Sequence, residues 1–233
     1  MAYSSISVYL SPPDVENAEE SWLDDKTLTE TFSEQTISSS ATISSSIIGA
    51  YTGDFDVKGN DQYGGHEEGN YFSVAAGDTA TLTFNTDVNY FGLYFTAGNA
   101  GNTFEVVKGG QTILSFNTAE LLGLLEGPTI AAINGTVYDT QDYYGQPGTN
   151  SNGAEPYAYL HIVASGGQTF DEIRLSEVGG NAAFESDNHS IRTTSTPIPD
   201  TLINVSGTVV PEPTALGLLF SGSLLSLVLR RRR

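Results

Sequence analysis

Thr79-Ala80-Thr81-Leu82-Thr83-Phe84, followed at once by Val88-Asn89-Tyr90-Phe91-Gly92-Leu93-Tyr94-Phe95-Thr96, is the stretch that decides the fold. In the first run Ala80, Leu82 and Phe84 alternate with three threonines, the period of two that a half-buried strand requires. The second run places Phe91, Leu93 and Phe95 on one face and Tyr90 and Tyr94 on the other. Both of its faces are apolar or aromatic, which marks a central strand covered on both sides.

Working outward, the pattern repeats. Phe104–Lys108 and Gln111–Phe116 flank Gly109-Gly110, a pair that a two-residue primed turn accepts without strain. Thr118–Leu122 predicts a short helix with Thr118 as its cap. Tyr157–Val163, Phe170–Ser176 and Ala183–Ile191 read as later strands, the middle one with Ile173 and Leu175 inward and Glu172 and Arg174 outward. Short strands between turn residues, with almost no helix, predict an all-β chain, an antiparallel two-sheet β-sandwich of jelly-roll-like form over residues 1–192. The serine-rich segment 33–48 reads either as an edge strand carrying Ile37, Ile43 and Ile47 or as a mobile stretch. Residues 193–210, rich in Thr, Pro and Ser, predict a semi-extended stalk.

Charge and cysteine narrow the function. Before Pro211 the chain carries 27 acids against five bases, a net charge of about −22 with histidines neutral. That excludes nucleic acid as a natural partner, since phosphate binding needs clustered Lys and Arg. It suits a secreted surface protein kept soluble by self-repulsion, and it offers carboxylates to divalent cations. The chain has no cysteine, so disulfides, thiolate nucleophiles and zinc–cysteine sites are excluded.

The C-terminal end has a tripartite form. Val210-Pro211-Glu212-Pro213-Thr214 leads into an uncharged run, Ala215 to Leu229, and then into Arg230, Arg231, Arg232 and Arg233. As a helix the run spans roughly 22 Å, short of a hydrocarbon core of about 30 Å, a mismatch that bilayer thinning or arginine snorkelling absorbs. The arginines stop on the cytoplasmic side, placing all that precedes them across the membrane. An ordinary tail anchor or a buried amphipathic helix is the plainer reading, but a core helix would not end in four adjacent arginines.

This tail resembles the PEP-CTERM sorting signal of Gram-negative and cyanobacterial surface proteins. The resemblance rests on Val210-Pro211-Glu212-Pro213, a Gly/Leu-rich helix with Gly217 and Gly222, and the terminal arginines. It implies an exosortase as partner, with Pro211, Glu212 and Pro213 marking where the exported protein is released from the membrane. Three internal stretches are similar to one cyanobacterial group of such proteins. They are Asn60-Asp61-Gln62-Tyr63-Gly64-Gly65 leading to Gly69-Asn70-Tyr71-Phe72, Tyr90–Phe95, and Phe170-Asp171 with Ala183–Asn188. Such a protein enters export through a signal peptide. Met1–Ile6 has neither a basic n-region nor a long apolar h-region, so the expectation is a leader encoded upstream of Met1.

Within the domain three kinds of chemistry compete. Carboxylates at Asp54, Asp56 and Asp61 suggest calcium, but Lys58 and the absence of a Glu twelve residues from Asp54 exclude an EF-hand. A sandwich-type ion site would join Asp61 to Glu185, Asp187 or Asn188; otherwise these residues serve as turn residues and caps. Tyr143 and Tyr144, in a loop with Asp139, Asp142 and Gln146, suggest stacking on a polysaccharide, tyrosine rings meeting C–H faces. The alternative is that Tyr157 and Tyr159 pack inside while Tyr143 and Tyr144 pin the loop. Catalysis is not expected. His66, His161 and His189 fall in no metal spacing, His161 sits in an apolar strand, His66-Glu67-Glu68 reads as a solvated turn, and no Gly-x-Ser-x-Gly elbow occurs. The expectation is thus an exported, non-enzymatic envelope protein with a structural or adhesive role in an exopolysaccharide matrix. A calcium-assisted carbohydrate-binding module is the alternative.

Overall fold

The computed structural model describes residues 5–18, 26–65, 69–149, 151–179, 182–194, 198–205 and 208–209. The strands are β1 (Ser5–Leu10), β2 (Leu28–Glu30), β3 (Gly49–Gly53), β4 (Asp56–Gly59), β5 (Asn70–Ala75), β6 (Thr79–Val88), β7 (Tyr90–Thr96) and β8 (Asn102–Lys108). They continue with β9 (Gln111–Asn117), β10 (Thr129–Ala131), β11 (Val137–Asp139), β12 (Ala158–Ser165), β13 (Phe170–Glu177), β14 (Ala183–Arg192), β15 (Ile203–Val205) and β16 (Thr208–Val209). Among the described residues one α-helix, α1 (Thr118–Leu125), follows β9. The chain is all-β with antiparallel strand pairing. One sheet of eight strands runs β15-β1-β12-β7-β14-β5-β4 with β2 added on β14; a second of six runs β16-β9-β8-β13-β6-β3.

The alternation in Thr79–Phe84 and Tyr90–Phe95 explains how the sheets meet. Ala80, Leu82 and Phe84 from the second sheet, and Phe91, Leu93 and Phe95 from the first, enter one apolar core with Ile173, Leu175 and Phe184. As its two-sided pattern predicts, β7 is central, between β12 and β14, and every residue in it is buried. The β8–β9 hairpin turns at Gly109 and Gly110, whose φ values of 56° and 79° are the left-handed ones a primed turn needs.

Three local expectations shift. The helix cap is Asn117, whose side chain accepts from the Ala119 N–H; Thr118 instead turns inward and its Oγ1 donates to the Asn102 carbonyl at 3.0 Å. Both residue types can cap, and burial of Thr118 chose between them. In segment 33–48 only isolated bridges form, Ser38 to Val57 and Ile43 to Tyr51, with Ile43 buried and Ile37 and Ile47 exposed. The expected stalk is partly folded: β15 pairs with β1 and buries Leu202, Ile203 and Val205, and β16 pairs with β9. Three apolar side chains outweigh the turn-prone composition around them.

The outer faces of the two sheets differ. That of the second sheet is solvated, with Arg174 bridging Glu172 of its own strand at 2.7 Å and Glu105 of β8 at 3.7 Å. That of the first sheet is buried under chain over part of its area. Among the described residues no helix is long and apolar enough to cross a membrane. The expected membrane segment, with Pro211, Glu212, Pro213 and Arg230 to Arg233, lies outside the described residues, as do His66, Glu67 and Glu68.

Candidate functional site

The outer face of the first sheet is built from every second residue of its strands: Tyr71 and Ser73, Tyr90, Gly92, Tyr94 and Thr96, Tyr159 and His161, Glu185 and Asp187. On β14 the alternation is reset by a bulge between Asp187 and Ser190, with Asn188 at φ 49°. Asn tolerates that left-handed conformation better than most residues. The bulge lets Ser186 and His189 both face the core, where Ser186 Oγ and Tyr51 Oη each lie 2.9 Å from the imidazole nitrogens.

Half of the outer face is closed by residues 11–18 and Leu202, which pack on Tyr9, Tyr90, Tyr94, Tyr157 and Tyr159. Several of its polar atoms are paired, while Tyr94 Oη has no hydrogen-bond partner. His161 has Ser11 Oγ 2.7 Å from Nε2 and Tyr90 Oη 3.0 Å from Nδ1, and Tyr159 Oη donates to the Asn188 carbonyl at 3.0 Å. A Ser–His pair invites a catalytic reading, but Ser11 and His161 are wholly buried and no substrate reaches them. Burial lowers both His161 and His189 to about 3, so each is a neutral imidazole that donates from one nitrogen and accepts at the other.

The other half is edged by the turn at residues 60–65. Asp61 accepts from the Tyr63 N–H at 2.8 Å and from Tyr71 Oη at 3.2 Å, and the Asp61 N–H donates to the Gly64 carbonyl. Gly64 lies against the Tyr71 ring, where a Cβ would stand 2.6 Å from Cδ2; Gly65 has φ 86°. Tyr157 Oη donates to the Gln62 carbonyl at 2.6 Å. The turn is therefore held to the sheet from beneath while Tyr63 stays 41% exposed.

Beside it opens a cleft of about 690 Å³, lined by Lys58, Tyr63, Asn99, Glu155 and Glu185 over a floor of alanines that includes Ala75, Ala97 and Ala183. Glu185 sits between Ser73 of β5 and Thr96 of β7 in the ladder. All three are buried, and neither Ser73 Oγ nor Thr96 Oγ1 has a hydrogen-bond partner. Burial raises the Glu185 carboxyl to about 7, Lys58 opposing and Glu155 and Asp61 adding to the shift. The wall is fixed by Asn99, whose Nδ2 donates to the Ala183 carbonyl at 3.1 Å and whose Oδ1 accepts from Gly101.

The site residues expected from the sequence are therefore dispersed. Tyr143, at the end of a 3-10 turn capped by Asp139, is 1% exposed and donates to the Ser11 carbonyl at 2.7 Å, so its ring offers no stacking face. Tyr144 is half-buried and pairs with Pro156. Both pin the loop, the second of the two readings weighed. Asp61 serves the Tyr63 turn, Asp187 accepts from the Asn188 N–H at 2.7 Å, and Glu185 faces the cleft. Among the described residues no three His, Cys, Asp or Glu side chains converge to hold a metal ion. Tyr63, Glu155, Ser73 and Thr96 escaped sequence reasoning as site residues. The signal for Tyr63 was present in Asp61-Gln62-Tyr63-Gly64-Gly65, an Asx-type turn that displays its third residue.

No family model matches the chain, and no curated protein matches it. Among solved structures it is similar to the catalytic domain of a GH87 alpha-1,3-glucanase variant in complex with tetrasaccharides, at 14% identity and a TM-score of 0.33. That match covers 90% of this chain and 30% of the other, so the chain spans under a third of that structure, and the likeness is too loose to carry a role across.

Proposed function

We propose that this is an exported envelope protein, sorted and cleaved through residues 211–233, with a structural or adhesive role in an exopolysaccharide matrix. The observation that carries the reading is the order Pro211-Glu212-Pro213, fifteen uncharged residues, four arginines. In this mechanism the apolar helix and its cytoplasmic arginine stop hold Pro-Glu-Pro at the outer face of the membrane, where an exosortase reaches it. The sandwich, jelly-roll-like in our reading, then lies outside. Among the described residues its last strand ends at Val209, two residues before Pro211 in the sequence. The acidic domain suits this placement, since self-repulsion keeps it soluble after release.

The test is expression of the full chain, behind a signal peptide, in a host with an exosortase and in the same host lacking it. Mass spectrometry of the released protein is expected to show loss of the apolar run and arginines only where the exosortase is present. Replacing Pro211, Glu212 and Pro213 by alanine is expected to keep the chain in the membrane fraction. Equal release from both hosts would refute the reading.

A further inference from the structure

We propose that the cleft between the Asp61–Gly65 turn and the end of β14 binds a neutral saccharide, its ring on Tyr63 and its hydroxyls on Glu155, Glu185 and Lys58. The lining is the first argument. The Glu155 and Glu185 carboxylates accept hydrogen bonds and the Lys58 ammonium donates them, so one cleft offers both kinds of partner, with Glu185 held in the ladder between Ser73 and Thr96. A hydroxyl is donor and acceptor at once, so a ligand carrying several hydroxyls satisfies such a lining where a purely cationic or anionic one leaves half of it unmet.

Shape is the second argument. At about 690 Å³ the cleft accommodates roughly two or three hexose rings. Its floor is alanine, Ala75, Ala97 and Ala183 among it, which lets a flat ring lie close to the backbone. Tyr63 is the one large aromatic ring on its wall and is held by the Asp61 turn, so little conformational freedom is lost on stacking.

Charge selects among ligands. Glu155 and Glu185 with Asp61 nearby outnumber Lys58, in a domain already strongly acidic, which disfavours uronate or sulfated glycans. A polyamine would leave the Lys58 ammonium without an acceptor, and among the described residues the carboxylates do not converge as an ion requires. That the natural source is an envelope polysaccharide rests on the export reading above. Binding itself does not, and it is measured on purified protein without reference to sorting.

The experiment is calorimetric titration of the full chain, in a detergent without sugar headgroups, with maltotriose, cellotriose, laminaritriose and chitotriose. Trigalacturonate, spermine and calcium are titrated in parallel. At least one neutral trisaccharide is expected to bind with a Kd below about 1 mM. Tyr63→Ala is expected to weaken that binding at least tenfold, and Lys58→Met, which keeps the length of the side chain and removes the donor, about fivefold or more. Both variants keep the wild-type melting temperature within a few degrees, which separates lost contact from lost fold. No neutral sugar bound at 10 mM, binding indifferent to both substitutions, or preference for trigalacturonate, spermine or calcium would each overturn the proposal.

Discussion

The two halves of one sheet surface, the outer face of the eight-stranded sheet, use the same residue types to opposite ends. Under residues 11–18 the tyrosines and His161 close on one another, and Ser11, His161 and Tyr90 form an unbroken chain of hydrogen bonds. A few ångströms along the strands, Ser73, Glu185 and Thr96 are also buried, but Glu185 lines a cleft, and the two hydroxyls beside it lack partners. The contrast teaches that burial of polar groups is not by itself a sign of function. Nor is a missing partner, since Tyr94 Oη in the sealed half lacks one too; what marks the second half is the open cleft beside Glu185.

The largest effect that would break this contrast is acidification. His161 and His189 are both held near 3, below the ordinary value of about 6.5, so the unfolded chain binds more protons between those values. Stability is full above pH 6.5 and is lost as pH falls toward 3. At pH 4 the loss is on the order of 3 kcal/mol for each histidine, measurable as a falling midpoint in urea. A flat stability profile from pH 7 to 4 would mean that the imidazoles are not buried as described.

Next in size is Gly92→Ala. A Cβ there would stand 2.3 Å from Tyr90 Oη and 2.6 Å from Tyr159 Oη, both on rigid, buried rings. Displacing them breaks the contact to His161, and unfolding measurements should show a loss of about 3 kcal/mol.

Glu185→Gln acts in the other half and in the opposite direction. Lys58, Asp61, Tyr71, Glu155 and Tyr157 face this carboxyl, and its folded value near 7 lies above the unfolded 4.5. A folded state that holds the proton more tightly is favoured at low pH, so this group's contribution falls as pH rises from 4.5 to 7. The amide removes that penalty. It should stabilise the protein by about 2 kcal/mol at pH 8 and leave it unchanged at pH 4. The smallest effect on stability is expected from Tyr63→Ala, within about 0.5 kcal/mol, because that ring is exposed. A large loss there would make Tyr63 part of the framework and erase the distinction between the halves.

Much of the frame was legible because period-two alternation reports directly on which face is buried. The strands at Thr79–Phe84 and Tyr90–Thr96, the hairpin at Gly109-Gly110 and the inward Ile173 and Leu175 all follow from it. Tyrosine breaks the code. Tyr143 in an Asn- and Gly-rich loop reads as exposed, yet its ring lies in the core with its hydroxyl on the Ser11 carbonyl. An amphipathic side chain satisfies either environment, so local sequence does not choose between them. The strand at Ile203–Val205 was obscured for a related reason, since its partner in β1 lies almost two hundred residues away.

The sequence by itself determined the all-β class, the alternation that builds the common core, the excess negative charge and the tripartite order of the last 23 residues. These are properties of composition and of neighbours along the chain. Only the tertiary structure decided that the outer face of one sheet is half sealed and half open, that Asn188 resets the strand above it, and that Glu185 stands between Ser73 and Thr96 without a hydroxyl in reach of a partner. Those facts depend on which distant segments come to lie on a surface, and hydrogen-bond satisfaction is a property of that surface rather than of any one strand.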